Sequence, residues 1–209
     1  MATTGKITAV ALATATLSGC LLLPQLPPPE TVQLAPVPGV ALPFKARVMI
    51  FVGEGDLNRN LSIQLTRYQS EETKVKEGRA LAKAARTVLA KGFEQVEVNS
   101  PAIRPQVVIK LGGKASWTRL DGTMKVSCTL DAWTSDGIPL GLFGARYDAE
   151  KTDYREEVEA AYGQCLKKPV EELLNSPTLA RLAGTGFRDP PALAVEAWMR
   201  GLGPTTPLQ

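Results

Sequence analysis

The sequence predicts an α+β domain: an antiparallel or mixed sheet of about five or six strands, with two main helices packed on one face. Three observations point to it. Between Phe44 and Ser176 the segments read β-β-α-β-β-β-β-α, so strands and helices do not alternate as they do in a wound parallel sheet. Several segments alternate apolar and polar residues with a period of two. The two helical stretches each carry one apolar stripe, which demands one sheet face to cover it.

Lys45 to Val52 is a run of β-forming residues and reads as a buried strand. Gly53-Glu54-Gly55-Asp56 then reads as a turn. Asn60 to Gln69 alternates, with Leu61, Ile63 and Leu65 on one face and Ser62, Gln64 and Thr66 on the other. Lys76 to Lys91 is a helix through Leu81, Ala84, Ala85, Val88 and Leu89, and Gly92 stands where a left-handed residue ends such a helix. Phe93 to Val98 is a short strand.

Gln106 to Arg119 and Thr123 to Trp133 flank Asp121-Gly122, a hairpin signal, and Asp136-Gly137 turns into a third strand, Ile138 to Tyr147. Gly112 and Gly113 inside the first of these strands mark a bulge. Asp153 to Asn175 is the second helix, with Val158, Ala161, Tyr162, Cys165, Leu166, Val170, Leu173 and Leu174 on its stripe. Pro169 inside it should kink or divide it. After Ser176 comes an extension with a short helix from Asp189, a good N-cap, to Met199, and a disordered end from Pro204 to Gln209.

The first 43 residues are of another kind. Lys6 precedes about ten small and apolar residues, Ile7 to Thr16, too few to span a hydrocarbon core of roughly 30 Å. This is the pattern of a signal-peptide apolar region over residues 1–19. It meets Leu17-Ser18-Gly19-Cys20. Small residues at 18 and 19 let a protease reach the backbone, and a thiol at 20 can carry a thioether-linked lipid. Pro24, Pro27, Pro28, Pro29, Pro36, Pro38 and Pro43 then crowd the segment from Leu21 to Pro43. Proline lacks an amide donor and fixes φ, so neither helix nor sheet is favoured. Such a tether extends by about 3.1 Å per residue, or roughly 70 Å in all. Its leucines leave open that part of it packs on the domain or on a partner.

Leu17-Ser18-Gly19-Cys20 resembles the lipobox of bacterial lipoproteins. The resemblance implies diacylglycerol on the Cys20 thiol, cleavage before it, and N-acylation of the new amino terminus. Leu21 in place of aspartate implies delivery to the outer membrane, on its periplasmic face. The layout of lipobox, Pro-rich arm and α+β domain resembles small envelope lipoproteins of the LptE and YajG type, and is similar to auxiliary lipoproteins of ABC transport systems. That implies a non-catalytic accessory, scaffold or assembly component of a cell-envelope complex, or alternatively a lipid- or glycolipid-binding lipoprotein.

Composition narrows the chemistry. The chain has 24 basic and 21 acidic residues, a net charge of +3, which loss of Lys6 with the leader lowers by one. So balanced a count suggests neither a nucleic-acid partner nor a polybasic membrane patch. Histidine is absent, which removes Ser-His and Cys-His catalysis and the commonest zinc ligand. Glu54, Asp56, Asp121, Asp131 and Asp136 are the acids available, mostly in turns, and no spacing pairs them. Asp56-Leu57-Asn58-Arg59-Asn60 opens like a calcium loop, yet Leu61 and Arg67 stand where glycine and glutamate are needed. Gly112-Gly113-Lys114 is followed by Ala115, so a phosphate loop is excluded. The expectation is no enzyme, no metal and no cofactor beyond the lipid on Cys20. Trp117, Trp133 and Trp198 serve an interface or the core. Cys128 and Cys165 both point to apolar faces. In an oxidising compartment they either close a disulfide or remain two buried thiols.

Overall fold

In the computed structural model the described residues are 33–34, 41–63, 73–100, 102–118, 123–149 and 156–191, with 197, 200, 201, 206 and 208 beyond them. The leader, Cys20, most of the arm, the Asp121-Gly122 turn and residues 64–69 lie outside this set. β1 (Phe44–Phe51) is the central apolar run. Its residues Val48, Met49 and Ile50 are wholly buried, on both faces of the sheet. α1 (Glu54–Leu57) is one short helical turn. β2 (Leu61–Ile63) and β3 (Thr73–Val75) form a separate antiparallel pair. α2 (Glu77–Leu89) leads to β4 (Phe93–Val98). β5 (Val107–Thr118), β6 (Thr123–Thr134) and β7 (Pro139–Ala149) form the antiparallel meander. α3 (Glu156–Leu174) and α4 (Pro177–Thr185) follow.

The main sheet has five strands in the order β4-β1-β5-β6-β7. β1 runs parallel to both β4 and β5, and the other pairs are antiparallel, so the sheet is mixed. α2 and α3 pack against each other and against one sheet face. The core between them holds Ile50, Leu81, Ile109, Met124, Leu130, Tyr162 and Leu166, each at most 1% exposed. The class expected from sequence, α+β with two main helices on one face, is the class observed.

Several elements differ from expectation, each for a local reason. The Gly53–Asp56 turn is replaced by α1, because Leu57 turns inward to the core and its amide bonds Gly53 O at 2.8 Å. Of the strand expected over Asn60 to Gln69, the described part is β2, and its partner is β3 rather than the main sheet. Gly92 does not adopt a left-handed conformation. It is needed because a Cβ there would lie 2.7 Å from Leu174 Cδ2. Gly112 and Gly113 mark no bulge: pairing runs in unbroken register from Val107↔Thr134 to Thr118↔Thr123. A Cβ on Gly113 would instead lie 2.9 Å from Ser127 O and 3.0 Å from Leu81, so the glycine admits the close approach of a helix. α3 runs through Pro169 undivided. Burial of Val170, Leu173 and Leu174 beyond it holds the last turn despite the amide that Pro169 lacks.

The extension past Ser176 is bound to the domain. α4, not anticipated from sequence, starts with Pro177 at its first turn and buries Leu179 in the core. Asp189, expected as an N-cap, lies outside a helix together with Pro190 and Pro191, while Ala197, Arg200 and Gly201 are helical. The Asp189 carboxylate pairs with Arg47 at 2.5 Å and accepts from Gln106 Nε2 at 2.8 Å. Residues 192–196, 198 and 199 lie outside the described set. The end, expected to be disordered, has Thr206 O accepting from Asn99 Nδ2 at 3.1 Å and Leu208 packed on the core. Asn99 is the hinge of this arrangement. It takes a left-handed φ of 50°, which asparagine tolerates. Its side chain bonds both the amide and the carbonyl of Val52 at 2.9 Å, extending the edge of β1. Residues Thr31–Gln209 make one compact unit, in which Leu34 and Leu42 of the arm pack against the core. Among the described residues no helix is long and apolar enough to cross a membrane.

Candidate functional site

The strand register sorts the meander's side chains into two faces. On the helix side stand Ile109, Leu111, Ala115, Val126, Cys128 and Leu130. On the other side the cross-strand rows are Lys110–Asp131–Leu142, Gly112–Thr129–Gly144, Lys114–Ser127–Arg146 and Ser116–Lys125–Asp148. This outer face is open over β5 to β7, where Lys114, Lys125, Arg146 and Asp148 are all exposed. It forms a shallow depression of about 760 Å³ lined by Lys114, Ser116, Lys125, Ser127, Arg146 and Asp148, among others. Toward β1 the same side is covered, and Met49, Phe51 and Val108 are buried there.

Charge on the open face is uneven. Lys110 faces Asp131 across the strands and Lys125 faces Asp148, but the Lys114–Ser127–Arg146 row contains no acid. Among the described residues the ion pairs are Arg47 with Asp189, Arg59 with Glu77 and Asp56, Arg86 with Glu97, and Lys168 with Glu172. Lys114, Lys125 and Arg146 enter none of the ion pairs among the described residues.

β7 is also the last strand of the sheet, so its outer main-chain groups meet no further strand among the described residues. The large apolar side chains left exposed are Ile138, Leu142 and Tyr147, all on β7 or the residue before it. Leu142 is 71% exposed. An open edge with apolar side chains invites pairing with another chain. A second depression, of about 440 Å³, lies between the Thr134–Ile138 turn and Leu182 to Arg188.

Among the described residues the buried charged side chain is Glu77, 2% exposed, at the start of α2. Its Oε1 accepts from Tyr162 Oη at 2.6 Å and from the Ala115 amide at 2.5 Å, and its Oε2 accepts from Arg59 Nε at 2.8 Å. Arg59 also donates to Gly113 O and pairs with Asp56 at 2.7 Å. Burial, the largest influence on Arg59, works against its charge, but the hydrogen bond and charge of Glu77 carry its pKa above the ordinary value. Burial, then Glu77, pushes the Tyr162 hydroxyl far above its usual range, so it stays a proton donor. The cluster joins α1, α2, β5 and α3 and fastens these elements together.

The tight fit extends to Gly78. A Cβ there would lie 1.8 Å from Asp56 O, a backbone atom, so Gly78→Ala forces α1 away from α2. The expected loss is about 1–3 kcal/mol of stability, read as a lower urea midpoint. An unchanged midpoint would show that this approach is not tight.

The residues singled out from sequence are dispersed. Glu54 and Asp56 lie on α1, Asp131 on the open face, and Asp136 in the turn before β7. Asp121 lies outside the described residues. The calcium-like segment is α1 and its exit, with Asp56 committed to Arg59. Trp117 packs against the core, Trp133 stands half-buried on the outer face, and Trp198 lies outside the described set. Cys128 on β6 and Cys165 on α3 are joined as a disulfide, with Cα atoms 6.2 Å apart. Leu17, Ser18, Gly19 and Cys20 lie outside the described residues. Sequence reasoning missed Glu77 and Arg59 altogether, and placed Tyr162 only on an apolar stripe. A glutamate in the first turn of a helix is so ordinary that nothing marks this one as buried.

No family model matches the chain, and no curated protein matches it. Among solved structures it is similar to a DUF330 protein from Xanthomonas campestris, at 14% identity over 74% of this chain and 94% of that one, TM-score 0.39. It is also similar to PelC from Paraburkholderia phytofirmans, a dodecamer, at 14% identity over 66% and 94%, TM-score 0.40. A candidate lipoprotein from Caulobacter crescentus is similar at 12% identity over 64% and 90%, TM-score 0.28.

Proposed function

We propose that this chain is a lipid-anchored protein of the bacterial envelope that serves, without catalysis, as an accessory or assembly component of a larger complex. The observation that carries the reading is the order of its parts: an apolar leader, Leu17-Ser18-Gly19-Cys20, a Pro-rich arm, and then one folded unit. Acyl chains on Cys20 contribute about 0.8 kcal/mol per buried methylene, and two or three chains anchor stably where one does not. Leu21 supports delivery to the outer membrane, with the domain in the periplasm. The open β7 edge supports a protein partner, which would add a strand there.

Cys20→Ser is the direct test. The parent is expected to incorporate labelled palmitate and to fractionate with outer membrane. The variant is expected to do neither and to accumulate as uncleaved precursor. A variant that matures and fractionates like the parent refutes the anchor. Cysteine-directed crosslinkers on Ile138→Cys and Leu142→Cys, in intact cells, then ask whether β7 faces a partner.

The alternative, a carrier enclosing a lipid between sheet and helices, finds that space already filled. Ile50, Met124, Leu130, Tyr162 and Leu166 occupy it with exposures of 0%. The accessory reading is therefore preferred.

A further inference from the structure

We propose that the open face of β5 to β7 is a docking surface for the anionic headgroups of a phospholipid bilayer. The overall charge is nearly balanced, so this surface is invisible in composition. It exists because the fold sorts the charges. Lys114 and Arg146 flank Ser127 in one acid-free row, and Lys125 stands in the next, opposite Asp148. None of the three cations is held in an ion pair among the described residues. Their ammonium and guanidinium groups therefore remain hydrated, able to exchange water for phosphate.

Shape favours a planar partner over a small anion. The depression is broad and shallow, and the adjoining row is Gly112–Thr129–Gly144, with side chains that stand little above the strands. The Ser127 hydroxyl between the cations donates to Lys114 O at 3.2 Å, while exposed Ser116 stands beside Lys114 with a hydroxyl that can donate to phosphate or ester oxygens. Leu142, 71% exposed, stands two rows from the cations on the same face. Cations beside a protruding apolar side chain are the arrangement by which a surface sits at a headgroup boundary. The proposal stands on the face itself and not on the acyl anchor, so it is tested without the anchor.

The test uses the chain from Leu21 onward, which keeps the whole folded unit Thr31–Gln209. It is floated with vesicles of phosphatidylcholine alone, or of about seven parts phosphatidylcholine to three of phosphatidylglycerol. The parent is expected to float with the anionic vesicles and not the neutral ones, and to be released by salt. Lys114→Glu with Arg146→Glu, both exposed and outside the core, should bind the anionic vesicles at least about tenfold more weakly, with an unchanged urea midpoint. Equal binding by parent and variant overturns the proposal, as does equal binding to neutral vesicles. Retention on soluble polyglutamate without flotation also overturns it and reassigns the face to an acidic protein segment. Failure to bind either overturns it outright, and leaves the palmitate result on Cys20 untouched.

Discussion

Replacing Glu77 with alanine is expected to destabilise the domain by about 3–5 kcal/mol, measured by urea unfolding. The carboxylate receives hydrogen bonds from Tyr162, Arg59 and the Ala115 amide in a setting where it is 2% exposed. Its removal leaves a phenol, a partly buried guanidinium and a strand amide without their acceptor at once. Each orphaned neutral group costs about 1–3 kcal/mol, and the cation more. Glu77→Gln keeps one carbonyl oxygen and is expected to lose roughly half as much. Arg59→Met leaves the carboxylate its bonds from Tyr162 and the Ala115 amide but buries it without a counter-charge, so a loss of about 3–5 kcal/mol is expected there too. A loss below about 1 kcal/mol from Glu77→Ala would contradict this account.

Breaking the Cys128–Cys165 bridge is expected to remove about 4 kcal/mol, the loop-closure effect of a separation of 37 residues. The Cα separation of 6.2 Å lies inside the usual range, and both residues are 1% exposed. The bridge fastens α3 to β6 in the middle of the meander. The double variant Cys128→Ala, Cys165→Ala should show the loss as a lower urea midpoint, matched by the reduced parent. The exported protein should have an intact mass two hydrogens lighter than its reduced form. Thiols at 128 and 165 that react with maleimide in denaturant without reductant would sink the prediction.

The sequence made the architecture legible wherever a period was long and unbroken. Met124, Val126, Cys128, Leu130 and Ala132 share one face of β6 as the alternation requires. The stripe of α3 is buried as its spacing requires. Failures fell where a long-range contact decides a local conformation. Gly92 and Gly113 read as a helix stop and a bulge, yet each is small because Leu174 or Tyr162 and Leu81 come close from another element. β3 is three residues long and α4 is a nine-residue helix that begins on a proline, too little pattern to stand out. The parallel placement of β1 between β4 and β5 is not a local property at all. The open face follows from two helices that pack on one side of the sheet only. Its sorting of cations depends on which strands are neighbours and in what register, and neither can be read along a single strand. The Cys pair was readable as a choice between bridge and free thiols, because facing apolar stripes bring two sulfurs together without fixing their distance.

The position of β1 has a mechanical meaning. The arm joins the sheet at Phe44, the first residue of a strand flanked on both sides. A pull transmitted along that arm is taken up lengthwise by two hydrogen-bonded ladders simultaneously, as shear, instead of unzipping a peripheral strand one bond at a time. Such a root resists a pull on the preceding segment better than attachment through β7 would.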